Sequence, residues 1–140
     1  MTAKSISKQL RQCFDRGNTV FIAGSGGSAQ MSNHFATELV HEGLRAISLT
    51  TDPILLTALA NDFSFEDVFV KQLEALAKKG DLFVGLTTSG KSKNLLNTYK
   101  WCKEGELEYI DFPRKGITPR CQEFQLKLLH KVWKILKKRA

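Results

Sequence analysis

Four short stretches with the composition of strands alternate with longer segments of helical periodicity, and this alternation restricts the folds open to the chain. The four stretches are TVFIAG (19–24), LRAISLT (44–50), DLFVGLT (81–87) and LEYIDF (107–112). The first, TVFIAG, is β-branched and fully apolar, which is typical of a strand buried on both faces of a parallel sheet. Strands that alternate with helices predict an α/β fold, a three-layer sandwich with a parallel sheet of four to five strands.

The segments around these strands have the spacing and the end signals of helices. Ile6, Leu10 and Phe14 share one face of the first, which stops before Gly17. The third begins at Asp52, a good capping residue, with proline in its first turn. The predicted helices cover residues 5–15, 28–41, 52–60, 65–79, 93–103 and 118–138.

Length and composition predict a single globular domain, residues 1–140, in the cytoplasm. The content of 42% hydrophobic and 25% charged residues is ordinary for a globular protein. No apolar run approaches the roughly 20 residues that span a bilayer, and the N-terminus has no apolar leader segment. Three scattered cysteines, Cys13, Cys102 and Cys121, suit a reducing compartment better than a disulfide framework.

Positive charge is concentrated at the C-terminus. The net charge is +7, and six Lys or Arg with no acid follow from Lys127 onward. Such a tail suits an anionic partner, nucleic acid or membrane, or else the solvated face of an amphipathic helix whose dipole favours cations in the last turn. We favour the solvated face, and expect neither a nucleic-acid nor a membrane partner.

Two glycine-rich loops match nucleotide-binding patterns. VGLTTSGKS (84–92) contains G-x-x-x-x-G-K-S/T, and GSGGSA (24–29) contains G-x-G-x-x-G/A. Each follows a strand and opens a helix, where backbone N–H groups and the helix dipole attract an anion. The first loop adds four hydroxyl groups, and we interpret both loops as phosphate-binding rather than as ordinary capped turns. These hydroxyls belong to Thr87, Thr88, Ser89 and Ser92.

A nucleotide is the weaker interpretation of both loops. A nucleotide phosphate loop needs an acidic strand end for magnesium, and the only candidate is Asp111. Gly85 is expected inside a strand rather than at its end. Asp52 comes too late to be the ribose-binding acid of the other pattern and suits a helix cap better. A phosphate-loop NTPase would show magnesium-dependent ATP binding that is lost on changing Lys91.

Two helices carry residues suited to metal binding or proton transfer. His34 and Glu38 are four apart and share a helix face, while Gln122 and His130 are eight apart on another helix. Imidazole, carboxylate and amide oxygen together make a four-ligand zinc site. Glu38 and His130 also suit proton exchange with a substrate. The alternatives without a function are a surface contact between His34 and Glu38, and a half-buried histidine at His130.

Four ordered motifs resemble the sugar isomerase (SIS) domain family and, within it, the phosphoheptose isomerases. They are GSGGSAQMSNHFATEL, NDFSFEDVF, GLTTSGKSKNLL and TPRCQEFQLKLLH. The resemblance implies a flavodoxin-like SIS domain that assembles as a homotetramer. It implies an aldose–ketose isomerase of heptose biosynthesis, converting sedoheptulose 7-phosphate to D-glycero-D-manno-heptose 7-phosphate by enediolate proton transfer with one zinc ion per subunit.

The resemblance also implies a role for individual residues. The catalytic pair would be Glu38 and His130. The zinc ligands would be His34, Glu38, Gln122 and His130. The substrate contacts would be Ser25, Gly26, Gly27, Asn61, Asp62, Thr87, Thr88, Ser89, Ser92 and Gln122. The alternative function is a non-catalytic module that binds a sugar phosphate and has a regulatory or protein-partner role.

The chain departs from the family pattern at several places. Ser25 and Lys91 stand where asparagine is usual, and Gln125 stands where histidine is usual. The family's additional N-terminal helix is not expected. The segment KWCKEGELEYIDF leads almost directly to the last helix. We therefore expect a domain shortened by one strand–helix unit.

Overall fold

The computed structural model describes residues 1–137, and in this part of the chain strands and helices alternate as predicted. The strands are β1 (Val20–Gly24), β2 (Ala46–Ser48), β3 (Leu82–Leu86) and β4 (Glu108–Asp111). The helices are α1 (Ala3–Asp15), α2 (Gly27–His41), α3 (Pro53–Asp62), α4 (Val68–Leu76), α5 (Lys93–Glu104) and α6 (Thr118–Lys137), with a 3₁₀ turn at Phe65–Asp67 before α4.

The four strands form one parallel sheet in the order β2-β1-β3-β4. This confirms the α/β class and the lower limit of the expected strand number. At the carboxyl edge, Gly24 of β1 pairs with Leu86 of β3. The loops that follow these two strands therefore leave the sheet side by side, at the edge where open α/β sheets bind ligands.

Alternating side chains of the strands divide the core into two layers. Val20 and Ile22 face a cluster made with α1, α2 and α6. Phe21 and Ala23, on the other side of β1, face a cluster made with α4 and α5. Because successive strand residues point to opposite faces, an unbroken apolar strand needs helices on both sides. The three-layer arrangement follows from this.

One predicted helix, residues 65–79, was wrong in its bounds. It is divided into the 3₁₀ turn and α4, and α4 ends at Leu76. The cause is Asp81, a buried residue whose carboxylate accepts hydrogen bonds from the backbone N–H of Lys78 at 2.8 Å and of Thr19 at 2.9 Å. These bonds hold the chain in a turn where the helix was expected to continue. The predicted cap at Asp52 is confirmed, since its side chain accepts from the Leu55 N–H at 3.0 Å.

The described part of the basic tail is a solvated helix face, as interpreted from the sequence. The four lysines of α6, Lys127, Lys131, Lys134 and Lys137, are exposed, whereas the opposite side packs in the core. The cations at positions 138 and 139 lie outside the described residues. Within residues 1–137, none of the helices combines the length and the apolar content needed to cross a bilayer.

All three cysteines are buried and none forms a disulfide within the described chain. Burial raises the pKa of Cys13 to about 11 and that of Cys102 to about 12. Both groups are therefore neutral thiols near neutral pH, and they pack as small apolar side chains.

We expect these thiols to make the fold sensitive to alkali. Well below their ordinary pKa of 9.0 they are protonated in both the folded and the unfolded state, so their titration does not change the free energy of unfolding. Above it the unfolded chain loses protons that the folded protein retains, so the free energy of unfolding falls until the pH passes the raised values. Urea unfolding between about pH 8 and about pH 10.5 measures the slope, which Cys102→Ala should make shallower. Equal slopes for both proteins would contradict the prediction.

Candidate active site

The two glycine-rich loops meet at the carboxyl edge of the sheet. Ser25 opens the loop after β1, and its hydroxyl accepts a hydrogen bond from Asn94 Nδ2 at 3.2 Å. Asn94 lies in the first turn of α5 and is buried. A direct contact therefore joins the start of α2 to the start of α5, and both helix N-termini border one region.

The loop after β3 has its hydroxyl groups clustered inside a turn. Thr87 Oγ1 is 3.2 Å from Ser92 Oγ and 3.5 Å from Ser89 Oγ. The turn is closed by backbone donors, from Gly90 N to Thr87 Oγ1 at 3.2 Å and from Lys91 N to Ser89 Oγ at 3.0 Å. We name residues 87–92 the hydroxyl loop. It offers neutral donors and acceptors within one turn of a helix N-terminus.

The geometry after β3 does not match a nucleotide phosphate loop. Gly85 lies inside β3, as expected from the sequence, and a side chain there would overlap the hydroxyl of Tyr99. Asp111 is already engaged, because it accepts from Tyr99 Oη at 3.2 Å and from Arg114 Nη1 at 2.6 Å. Burial and the nearby carboxylate raise the pKa of Tyr99, which keeps it a donor. Asp111 is thus held in an ion pair rather than presented for magnesium.

The residues singled out for metal chemistry meet where α2 packs against α6. Glu38 Oε1 is 2.6 Å from His34 Nε2 and 3.4 Å from His130 Nε2. The imidazole rings lie 5.9 Å apart at 77°. Each of the three residues offers one potential ligand atom, and these three atoms lie within 4.8 Å of one another. Two histidines and a carboxylate therefore converge from two helices.

Glu38 is the most constrained member of this cluster. Its side chain is 17% exposed, and its second oxygen, Oε2, is buried without a hydrogen-bond partner in residues 1–137. An unpartnered buried carboxylate oxygen is costly, and a bound cation would offset that cost. The donors are those that zinc prefers. The cluster therefore fits a divalent metal.

Gln122 borders the same cavity as the two histidines. This cavity, of about 590 Å³, is lined by Gly27, Gln30, Met31, His34, Pro119, Gln122, Glu123, Leu126 and His130. The Gln122 amide lies against Gly27, where an added Cβ would overlap its nitrogen. The cavity thus brings the glycine-rich loop after β1, a predicted ligand amide and two imidazoles together.

Asn61 and Asp62 are placed differently from the other predicted site residues. They end α3, are exposed, and bond to each other through Asn61 Nδ2 and Asp62 Oδ1 at 3.2 Å. Among the described residues, they do not line the cavity bordered by His34, Gln122 and His130. Their contact with a substrate stays a prediction.

Sequence reasoning assigned no role to Asn94 or Arg114, and noted Gln125 only as a departure. Gln125 is fully buried, and its Nε2 donates to the carbonyl oxygens of Thr87 at 3.0 Å and Pro113 at 3.1 Å. A polar residue three positions from Gln122, amid apolar neighbours, was the available signal. It anchors the hydroxyl loop to α6.

The sequence pattern of the SIS domain family matches residues 3–112. This span contains both glycine-rich loops together with His34 and Glu38. Gln122 and His130 follow it, on α6. The match therefore covers the sheet and the loops at its carboxyl edge.

Similar proteins extend the match into α6. The phosphoheptose isomerase of Helicobacter pylori is 38% identical over 86% of this chain and 75% of its own length. That of Geotalea uraniireducens is 37% identical over 96% of this chain and 84% of its own. Phosphoheptose isomerase 2 of Campylobacter jejuni is 40% identical, and this chain spans 55% of its length.

Solved structures agree with the sequence comparisons. Phosphoheptose isomerase GmhA from Neisseria gonorrhoeae superimposes with a TM-score of 0.93 at 30% identity, over 97% of this chain and 85% of that one. A phosphoheptose isomerase from Francisella tularensis gives a TM-score of 0.89 at 26% identity. The fold is therefore that of solved phosphoheptose isomerase structures.

This chain is shorter than these relatives in its interior. The alignment with the Geotalea uraniireducens protein extends over 158 positions, against 140 residues in the whole chain, so at least 18 aligned positions have no residue here. β4 connects to α6 through residues 112–117 alone. Both facts support the expected loss of one strand–helix unit.

Proposed function

The chain belongs to the SIS domain family and, within it, to the phosphoheptose isomerases, and we propose on this premise that it interconverts sedoheptulose 7-phosphate and D-glycero-D-manno-heptose 7-phosphate. The observation that carries the proposal is the convergence of His34, Glu38 and His130 in one cluster, whose two histidines line a cavity. A sugar-phosphate sensor has no chemical need for such a cluster.

The two loops would hold the substrate. The hydroxyl loop surrounds the phosphate with neutral donors, and the N-terminus of α5 adds its dipole. Holding the phosphate there positions the carbonyl end of the open-chain sugar for reaction. The proposed substrate contacts are Ser25, Gly26, Gly27, Asn61, Asp62, Thr87, Thr88, Ser89, Ser92 and Gln122.

One metal ion, proposed to be zinc, would be held by His34, Glu38, Gln122 and His130. The buried, unpartnered Oε2 of Glu38 and the mixed nitrogen and oxygen donors support this choice. Zinc bound there supplies Lewis-acid polarisation of the substrate's carbonyl oxygen. The chain's own contribution is to hold the donors in place from two packed helices.

Proton transfer is assigned to Glu38 and His130. Isomerisation moves one proton between carbon 1 and carbon 2 and another between the attached oxygens. His130 borders the cavity, and its Nε2 lies 3.4 Å from Glu38 Oε1. One of the two groups would move the proton between carbon 1 and carbon 2, and the other would move the proton between the attached oxygens.

The test is conversion of sedoheptulose 7-phosphate to the aldose, with added zinc and after chelation. We expect turnover with zinc, loss after chelation and recovery when zinc is restored. Unphosphorylated sedoheptulose is the matched control and should react much more slowly, because it lacks the group held by the hydroxyl loop. Sedimentation of the same sample tests the proposed homotetramer.

A second candidate is a sugar-phosphate-binding module without catalysis. It is favoured by one observation, the interior shortening by at least 18 aligned positions. Binding of the ketose phosphate by a folded, zinc-loaded protein that gives no turnover would establish this candidate and reject the isomerase.

A further inference from the structure

We propose that Arg114 binds the substrate's phosphate group and adds charge-assisted donors to the neutral hydroxyl groups of the hydroxyl loop. This inference rests on the proposed function, in which the hydroxyl loop holds a sugar phosphate. Arg114 follows β4 and belongs to none of the motifs on which the resemblance depends.

The guanidinium of Arg114 lies directly against the hydroxyl loop. A Cβ added to Gly90 would be 3.0 Å from Cζ and Nε of Arg114 and 3.1 Å from Nη2. Gly90 has a φ of +71°, a conformation that other residues rarely adopt. Glycine at this position therefore allows the turn to form and also leaves room for the guanidinium beside it.

An ion pair fixes the orientation of this guanidinium. Nη1 and Nη2 of Arg114 donate to the two oxygens of Asp111 at 2.6 and 3.2 Å. A guanidinium has five N–H donors in a rigid plane, and this fork uses two of them. The side chain of Arg114 is 33% exposed, so its other donors are accessible from solvent. Tyr99 also donates to Asp111, which disperses the charge of the carboxylate.

The backbone that carries Arg114 is tied to the same loop. Gln125 Nε2 donates to the carbonyls of Thr87, in the hydroxyl loop, and of Pro113, next to Arg114. The first backbone N–H after β4 also donates to a β3 carbonyl at 3.0 Å. The position of Arg114 relative to the hydroxyls is therefore established before a ligand arrives, which lowers the cost of binding.

The experiment titrates the full chain with inorganic phosphate by calorimetry, with and without a chelator so that phosphate held by a metal is recognised. Arg114→Gln should raise Kd by about tenfold or more under both conditions, since it removes charge-assisted hydrogen bonds to the phosphate. Lys115→Gln is the matched control. It removes the same charge from the next, exposed residue and should change Kd less than about twofold.

Wild-type affinity in Arg114→Gln, an equal loss in Lys115→Gln, or no phosphate binding by the unaltered protein would each overturn the proposal. If Arg114→Gln does not fold, Arg114→Lys replaces it and must also weaken binding, because an ammonium cannot reproduce the fork to Asp111. Phosphate binding needs no turnover. A failed isomerase assay therefore leaves this test intact. An active enzyme with unchanged KM in Arg114→Gln would reject the role of Arg114 but not the proposed isomerase function.

Discussion

Glu38→Gln is expected to lower kcat/KM for the heptose phosphate isomerisation by about a thousandfold or more. The amide has nearly the shape of the carboxylate, but it neither accepts a proton at neutral pH nor offers a negative charge to a metal. Glu38 lies between His34 and His130, at 2.6 and 3.4 Å, so the substitution removes the one anion of the cluster. Zinc content should fall below one per chain in the same sample.

Glu42→Gln is the matched control for this substitution. Glu42 is the residue directly after α2, and its side chain is also 17% exposed. Its carboxylate also lies near a histidine, at 3.9 Å from His41 Nδ1. It is not part of the cluster, so kcat/KM and zinc content should stay within about twofold of wild type. Lys91→Ala should likewise matter far less than Glu38→Gln. Wild-type turnover in Glu38→Gln would remove Glu38 from the mechanism.

Gly24→Ala is expected to lower the free energy of unfolding by about 3 kcal/mol or more, at or above the usual cost of overpacking. An added Cβ would lie 2.7 Å from the Leu86 carbonyl oxygen and 2.7 Å from Ser28 Cβ. Neither neighbour moves freely, because Leu86 is strand backbone and Ser28 is buried in the first turn of α2. The carboxyl ends of β1 and β3 must separate, which also weakens phosphate binding by the hydroxyl loop.

Gly105→Ala is the control for an added methyl group. Gly105 ends α5 with a φ of −92°, and a Cβ there would meet only the Trp101 carbonyl oxygen, at 3.4 Å. Its effect on unfolding in urea should stay within about 0.5 kcal/mol. Equal stabilities of the two variants would show that the sheet edge accommodates the methyl group at Gly24.

Local patterns were sufficient to predict most of the fold. An apolar strand and a helix of period 3.6 are each encoded by a few neighbouring residues, and so is a cap such as Asp52. The end of α4 was missed because it depends on Asp81. The carboxylate of Asp81 accepts hydrogen bonds from the backbone N–H of Lys78 and of Thr19, the residue before β1. The hydrogen bond between Thr19 and Asp81 forms only when β1 and β3 lie side by side in the sheet.

The candidate site also has some features that local sequence predicts and others that depend on packing. Helical spacing placed His34 and Glu38 on one face, and the alternation of strands and helices placed both glycine-rich loops at the sheet's carboxyl edge. The 3.4 Å approach of His130 to Glu38 requires α2 and α6 to pack together, which spacing along one helix cannot show. Asn61 and Asp62 were named from the resemblance alone, and they lie outside the cavity bordered by His130.

The sequence by itself determined the fold class, the two loops and the residue types available for acid–base and metal chemistry, because each is written in short-range periodicity or in a motif. Only the tertiary structure decided that Glu38 has an oxygen without a partner among the described residues, and that Gln125 links the hydroxyl loop to α6. It also decided that Arg114 lies against Gly90. These contacts join residues distant along the chain, and their distances depend on how the layers pack.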